Sequence, residues 1–378
     1  MSGTVAQLAQ AVSDGLNVTH PTLRKTVKRK LAACIAAAIV SQTANTAAWA
    51  AVLPIETERD DMRLQWISRL LANPLLVSHE VMEPIVRARL EEAAKQGQTI
   101  VIMMDQTDIG NDFAVLMLSM RMGDRALPMV WHVEPGTANI GFEAQQSLLD
   151  IVFQWIPAGA TVVLMADRFY PSVSLFDWLN KAGWDYRLRL KRNHALDIGT
   201  AEVSTTGDFA RGYSERYVTG AHLFTSGVET NIAVWHEEGH DEPWIIAMRS
   251  APSRATVQDY GLRWGIESMF SDFKTRGFGL EDTQLHYPDR VSRLVLILAL
   301  ALCWCVAIGY DDVQNSPTPL EQKAAEQTDP DHWSFKKLAR SCLSWFQRGL
   351  RKLLRCAEMG RCLPRFDALL VPVFHASG

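Results

Sequence analysis

The chain has 378 residues, enough for two or three domains and at least one sizeable core. Its 48% hydrophobic and 21% charged residues are those of an ordinary soluble globular protein. The net charge of −4 excludes no class of partner, because it averages unlike regions. Five basic residues and no acid lie between Arg24 and Lys30, and nine basic residues with one acid, Glu358, lie between Lys336 and Arg365. Such blocks are either solvated faces or contacts for a polyanion. The apolar run Leu294–Ile308 is too short to cross a bilayer and reads as a buried helix. Residues 32–52 are rich in Ala but are interrupted by Ser41, Gln42, Thr43, Asn45 and Thr46, so no membrane span is expected there either. No charged-then-apolar leader is recognised, and the six cysteines lack zinc-ligand spacing, which together predict a cytoplasmic setting.

Apolar residues at three-to-four spacing predict helices over Thr22–Val40, Thr43–Leu53, Glu56–Leu71 and Glu80–Lys95. Residues 1–95 are therefore expected as a helical N-terminal domain. The cluster Arg24, Lys25, Lys28, Arg29 and Lys30 opens its first long helix, so the domain is either a small DNA-binding bundle or a helical cap. From residue 99 the period falls to two, predicting strands over Thr99–Thr107, Phe113–Arg121 and Ala126–Val133 with turn residues between them. A helix (Glu143–Trp155), a strand (Thr161–Ala166), a helix (Val173–Ala182) and a strand (Trp184–Lys191) follow. The order β-β-β-α-β-α-β, closed by a further helix, predicts an α/β fold with a mixed sheet. It suits a ribonuclease-H-like core better than a doubly wound one. Residues 192–250 carry strand-like pieces (Tyr213–Val218, Asn231–Trp235, Trp244–Met248) without a helical period and are expected as a β-rich insertion. The core would span 96–310. Residues Gly309–Asp331 read as a linker, and 311–378 as that linker plus a basic helical tail.

The chemistry concentrates in a few residues. Asp105 lies near the end of the first strand and Asp167 directly follows the fourth. An ionised carboxylate ending an apolar strand is costly unless it is paired or metal-bound. If those strands are neighbours, the two carboxylates meet at one edge. Tyr260, Arg263, Glu267 and Lys274 fall within about 60° of one another on a single helix, so Glu267 would arrive among groups suited to phosphate. Converging carboxylates bind hard divalent cations such as Mg²⁺, and two such ions can activate an attacking oxygen and stabilise a leaving one at a phosphodiester.

The four-residue spacing Tyr-x2-Arg-x3-Glu-x6-Lys, met by Tyr260, Arg263, Glu267 and Lys274, resembles that of DDE transposases of bacterial insertion sequences. Asp105 with Thr107, Asp167 with Arg168, and the β-rich insertion extend the resemblance over roughly residues 20–310. It implies a DNA transposase that cleaves element ends and joins them to target DNA. Asp105, Asp167 and Glu267 would hold two Mg²⁺ ions, for which Mn²⁺ could substitute. Tyr260, Arg263 and Lys274 would contact phosphates. Arg187, Arg189 and Lys191 alternate along the fifth strand, and with Arg168 they are either further phosphate contacts or ordinary solvated charges. Trp235 or Trp244 could stack on a flipped base, the alternative being a core tryptophan. Cutting two ends needs two active sites, so a homodimer assembled on double-stranded DNA is the expected working form.

Two rival readings remain open at this stage. His236-Glu-Glu-Gly-His240 matches the zinc-peptidase pattern, but that chemistry needs a helix and the flanking sequence reads as a hairpin. A non-catalytic DNA-binding relic of a transposase would share all these motifs and differ only in failing to cut.

Overall fold

The computed structural model describes residues 2–123, 125–200, 202–237, 239, 241–326 and 343–367. Internal contacts divide the chain into two compact units, Leu90–Phe270 and Met1–Arg89 together with Ser271–Gly378.

The fold of Leu90–Phe270 is mixed α/β. Nine strands form one sheet: β1 Ile100–Ile109, β2 Phe113–Met122, β3 Arg125–Pro135, β4 Val162–Ala166, β5 Asp185–Arg189, β6 Leu196–Asp197, β7 Glu215–Leu223, β8 Val228–Trp235 and β9 Trp244–Met248, in the order β3-β2-β1-β4-β5-β9-β8-β7-β6. β4 runs parallel to both β1 and β5, and the remaining pairs are antiparallel. All five residues of β4 (Val-Val-Leu-Met-Ala) are buried, as a central parallel strand covered on both faces requires. The helix Val173–Ala182 between β4 and β5 is closely specified by sequence. The Ser172 hydroxyl accepts from the Leu175 amide, and Gly183, at φ 73°, ends it in the left-handed region that glycine enters without strain. Residues 192–250 add β6 to β9 to this same sheet, and they include a short helix, Thr206–Ala210, that no sequence period announced.

In the other unit, helices Ser2–Thr19, Lys25–Ser41, Thr46–Val52 and Asp60–Leu71, with the start of Ser78–Lys95, share a core with Pro288–Asn315 and Trp345–Glu358. Pro288–Asn315 is long and apolar enough to cross a membrane, yet it is buried continuously from Leu294 to Tyr310 within this unit. Its extension to Asn315, and the helix Pro319–Glu326, correct the expectation of a linker from Gly309. Burial of Tyr310 and ion pairing of Asp312 hold that segment. Arg348 and Lys352 donate to Asp312 at 2.5 and 2.6 Å, and Arg348 also pairs with Glu321. Part of the basic tail is thus neutralised internally; residues 327–342, which include Lys336, Lys337 and Arg340, lie outside the described residues. Helices Pro288–Asn315 and Trp345–Glu358 approach at Gly309 and Gly349. A Cβ at Gly349 would sit 1.8 Å from the Cys305 carbonyl oxygen.

His20 is buried in this unit, with Nε2 2.6 Å from the Val81 carbonyl and Nδ1 2.6 Å from the Thr19 hydroxyl. Burial lowers its pKa below the ordinary value, against the Val81 hydrogen bond and with the help of nearby Lys28. A histidine whose folded pKa is depressed stabilises the fold above its unfolded pKa and loses that contribution as pH falls. Urea midpoints should therefore drop as pH falls below about 6.5, and His20→Asn should flatten that dependence.

Candidate active site

The parallel register of β1 on β4 brings Asp105 and Asp167 together. Its last pair is Met104↔Ala166, so each aspartate stands one residue beyond the same rung. Asp105 Oδ1 accepts from the Gln106 amide at 2.9 Å and from the Tyr170 hydroxyl at 3.4 Å. Asp167 Oδ1 accepts from the Arg168 amide at 2.7 Å and from the Tyr260 hydroxyl at 3.4 Å, a long and weak contact. Burial raises the Asp105 pKa, Arg263 and the Gln106 amide oppose the rise, and the Asp167 charge adds to it. A neighbouring carboxylate acts on Asp105 in that direction.

Glu267 does not lie on one long helix with its companions. Arg254–Gln258 is a short helix, Asp259–Arg263 a 3-10 turn, and Trp264–Phe273 the helix proper, so Tyr260 and Arg263 precede it and Lys274 follows its end. Two glycines flank the break, and the second is closely packed. A Cβ at Gly261 would touch the Trp244 ring at 3.6 Å, and one at Gly265 would press on the Arg125 backbone at 3.2 Å. Ile266, Met269 and Phe270 anchor the helix by burial, worth about 1.5–3 kcal/mol each, and leave the Glu267 side chain 54% exposed.

Arg263 connects these groups. It is 6% exposed, donates from Nη1 to Asp105 Oδ2 at 2.8 Å, and donates from Nη2 to Glu267 Oε1 at 2.6 Å. One planar guanidinium thereby ties a strand carboxylate to a helix carboxylate, which an ammonium could not do with the same geometry. Tyr260, 2% exposed, lies beneath it with its ring centroid 5.7 Å from the guanidinium carbon. Burial raises the Tyr260 and Tyr170 hydroxyls above their ordinary range, so both stay protonated donors. Tyr170 escaped the sequence reading; its place three residues after Asp167 was the available signal.

The other expected site residues divide. Arg189 and Lys191 remain partly accessible beside Arg168. Strand β5 ends at Arg189, short of Lys191, although the Leu190 amide still donates to the Ile245 carbonyl at 2.7 Å. Arg187 is only 4% exposed and is held by Asp185 at 2.9 Å, Asp259 at 3.8 Å and the Thr256 carbonyl at 3.0 Å. Its donors serve the fold, which separates it from its neighbours on the strand. Trp235 and Trp244 pack against a core of Ala233, Ile246, Met248, Val257 and Tyr260; Trp244 stands edge-on to Tyr260 at 5.2 Å, and Arg254 covers Trp235 at 4.5 Å. Lys274 belongs to the unit beginning at Ser271 and pairs with Glu281 at 2.8 Å. His236 follows β8, and the described residues up to β9 form a connection rather than a helix; His240 lies outside the described residues.

Among the described residues, no group of three or more His, Cys, Asp or Glu is gathered closely enough to hold a metal ion. The donor chemistry nevertheless fits a hard cation. Asp105 and Asp167 offer carboxylate oxygens side by side, with no nitrogen or sulfur ligand among them. A cation sharing Asp105 and Glu267 would have to draw both away from Arg263.

A search of curated proteins returned no match. The family described as Transposase DDE domain matches residues 105–304, more than half of the chain, beginning at Asp105 within β1 and taking in Asp167 and Glu267. The chain belongs to the DDE transposase family.

Proposed function

We propose that this transposase cuts DNA at the ends of a mobile element and joins them to a target by metal-dependent phosphodiester hydrolysis and transesterification. One observation carries the reading: Asp105, within β1, and Asp167, just past the end of β4, each stand one residue beyond the last rung that pairs these parallel strands, and Arg263 ties Glu267 to Asp105. Asp105, Asp167 and Glu267 would hold two Mg²⁺ ions, with Mn²⁺ as a substitute. Such ions supply an activated attacking oxygen and a stabilised leaving oxygen. The chain's own groups do the rest. Tyr260 and Tyr170 present hydroxyls to the two aspartates, and Arg263, drawn off its carboxylates, has the fork to meet a phosphate bidentately. Arg168, Arg189 and Lys191 would track the DNA backbone, and Lys274 would add a point charge. Arg187, Trp235 and Trp244 act through packing.

The strand order β3-β2-β1-β4-β5 supports a ribonuclease-H-like core, with β6 to β9 as the β-rich insertion. Residues 1–95 would contribute DNA contacts through Arg24, Lys25 and Arg29. The working form would be a homodimer on double-stranded DNA in the cytoplasm, engaging no membrane; burial of the long apolar helix supports only the last of these.

The test is cleavage of a duplex bearing the element's own ends. Wild type should release a 3′-hydroxyl in Mg²⁺ and nothing in EDTA. Glu267→Gln should cut at least about a hundredfold more slowly, the scale on which a charge-stabilising group acts. Binding without cleavage in either Mg²⁺ or Mn²⁺ would leave a DNA-binding relic instead.

A further inference from the structure

A cavity of about 380 Å³ opens beside the ends of β4 and β5, lined by Arg168, Phe169, Arg189, Lys191, Arg192 and Glu242 among others. Phe169 is 53% exposed there. Lys191 Nζ stands 4.8 Å from its ring centroid and the Arg168 guanidinium carbon 5.8 Å. Glu242 holds Arg168 at 3.2 Å and Arg189 at 3.8 Å, so four basic side chains face a single carboxylate. The Arg168 pair is solvent-exposed and the half-buried Arg189 pair is long, so Glu242 holds both loosely.

A free inorganic anion would use the cations and have no use for the ring. A purely apolar ligand would use the ring and leave the cations unmatched. An aromatic platform set among cations suits a nucleotide, whose base stacks while its phosphates are neutralised. Paired bases in duplex DNA already stack on each other and offer no free face, so the base must be unpaired.

We propose that this cavity holds one unpaired nucleotide of a DNA strand, with its base on Phe169 and its phosphates on Lys191 and Arg192, joined by Arg168 and Arg189 once Glu242 releases them. The inference rests on the transposase reading for the origin of that strand. Arg168 and Phe169 directly follow Asp167, so a strand held here is delivered to the carboxylates. Stacking on Phe169 and the control exerted by Glu242 are separate from the carboxylate chemistry.

Fluorescence anisotropy with the full-length protein tests it, using a labelled oligothymidine and a strand of equal length with abasic sugars. Phe169→Ala should bind oligothymidine about fivefold or more weakly, the scale of one base–aromatic stack, and bind the abasic strand as wild type does. Phe169→Trp should bind oligothymidine at least as tightly as wild type. Glu242→Gln should tighten both strands, because it frees two guanidinium groups. Equal losses on both strands, or none, for Phe169→Ala would overturn the proposal. So would Glu242→Gln binding no better than wild type, which keeps the test decisive if Phe169→Ala fails to fold. A wild type that stacks bases through Phe169 but cuts no duplex end refutes only the transposase reading. A wild type that cuts, with Phe169→Ala binding normally, refutes only this one.

Discussion

Arg263→Met should lower the unfolding free energy by about 2–4 kcal/mol, read from urea midpoints. Removing one partner of a buried ion pair typically costs about 3–5 kcal/mol, and the half-exposed Glu267 trims that figure. The loss comes from Asp105, whose side chain is 20% exposed and keeps the repulsion of Asp167 after its cation is gone. Arg263→Lys should recover only part of it, because an ammonium reaches one carboxylate and not both. Added Mg²⁺ should raise the midpoint of Arg263→Met by more than that of wild type, because the vacated carboxylates would be free for a divalent ion. Equal responses to Mg²⁺ in the two proteins would separate Arg263 from the metal-holding residues.

Gly349→Ala should cost about 4 kcal/mol or more in the unit that contains it. The added Cβ would lie 1.8 Å from the Cys305 carbonyl oxygen and 2.9 Å from the Gly309 amide nitrogen, and both are backbone atoms that no rotamer can move aside. Ordinary overpacking costs about 1–3 kcal/mol. Here the helix Trp345–Glu358 must shift outward, which also loosens Phe346, Leu350 and Leu353, all at most 1% exposed. Gly3→Ala provides the control. Its Cβ meets nothing within 4 Å and it lies in the first turn of its helix, so this change should be neutral to within about 0.5 kcal/mol. Thermal melts of the two variants against wild type decide the matter. A near-neutral Gly349→Ala would mean that the helices do not pack at this distance.

The sheet was legible where its strands alternate or run wholly apolar. Asp105 and Asp167 could be singled out because a charge beside an apolar strand needs a reason; β1 runs on to Ile109, so Asp105 lies within its strand rather than near its end, and it is the pairing with β4 that stops just before it. What sequence spacing could not supply was tertiary. Period 3.6 put Tyr260, Arg263 and Glu267 on one side of a helix, but the backbone tightens into a 3-10 turn over Asp259–Arg263, and the helix proper starts after it with Gly265 close against the Arg125 backbone. The turn of Arg263 toward Asp105, 158 positions earlier, left no local trace. Alternation likewise grouped Arg187 with Arg189 and Lys191, whereas Asp185 and Asp259 retain Arg187 inside. The two-residue strand β6 and the helix Thr206–Ala210 are too short to leave a period of their own. The described part of the linker expected from Gly309 is largely helical, because Asp312 and Glu321 pair with Arg348 and Lys352 while most of the polar residues around them stay exposed.

The central claim is that Asp105 and Asp167 jointly ligate the metal that cuts DNA, and a metal-specificity switch addresses it most directly. A thiolate is a soft ligand that Mg²⁺ binds poorly and Mn²⁺ tolerates better. Strand cleavage by Asp105→Cys and Asp167→Cys should be lost in Mg²⁺ and partly restored in Mn²⁺, while wild type cuts in both. Cysteine variants that cut in Mg²⁺ as fast as wild type would contradict the claim, because neither aspartate would then be holding the ion.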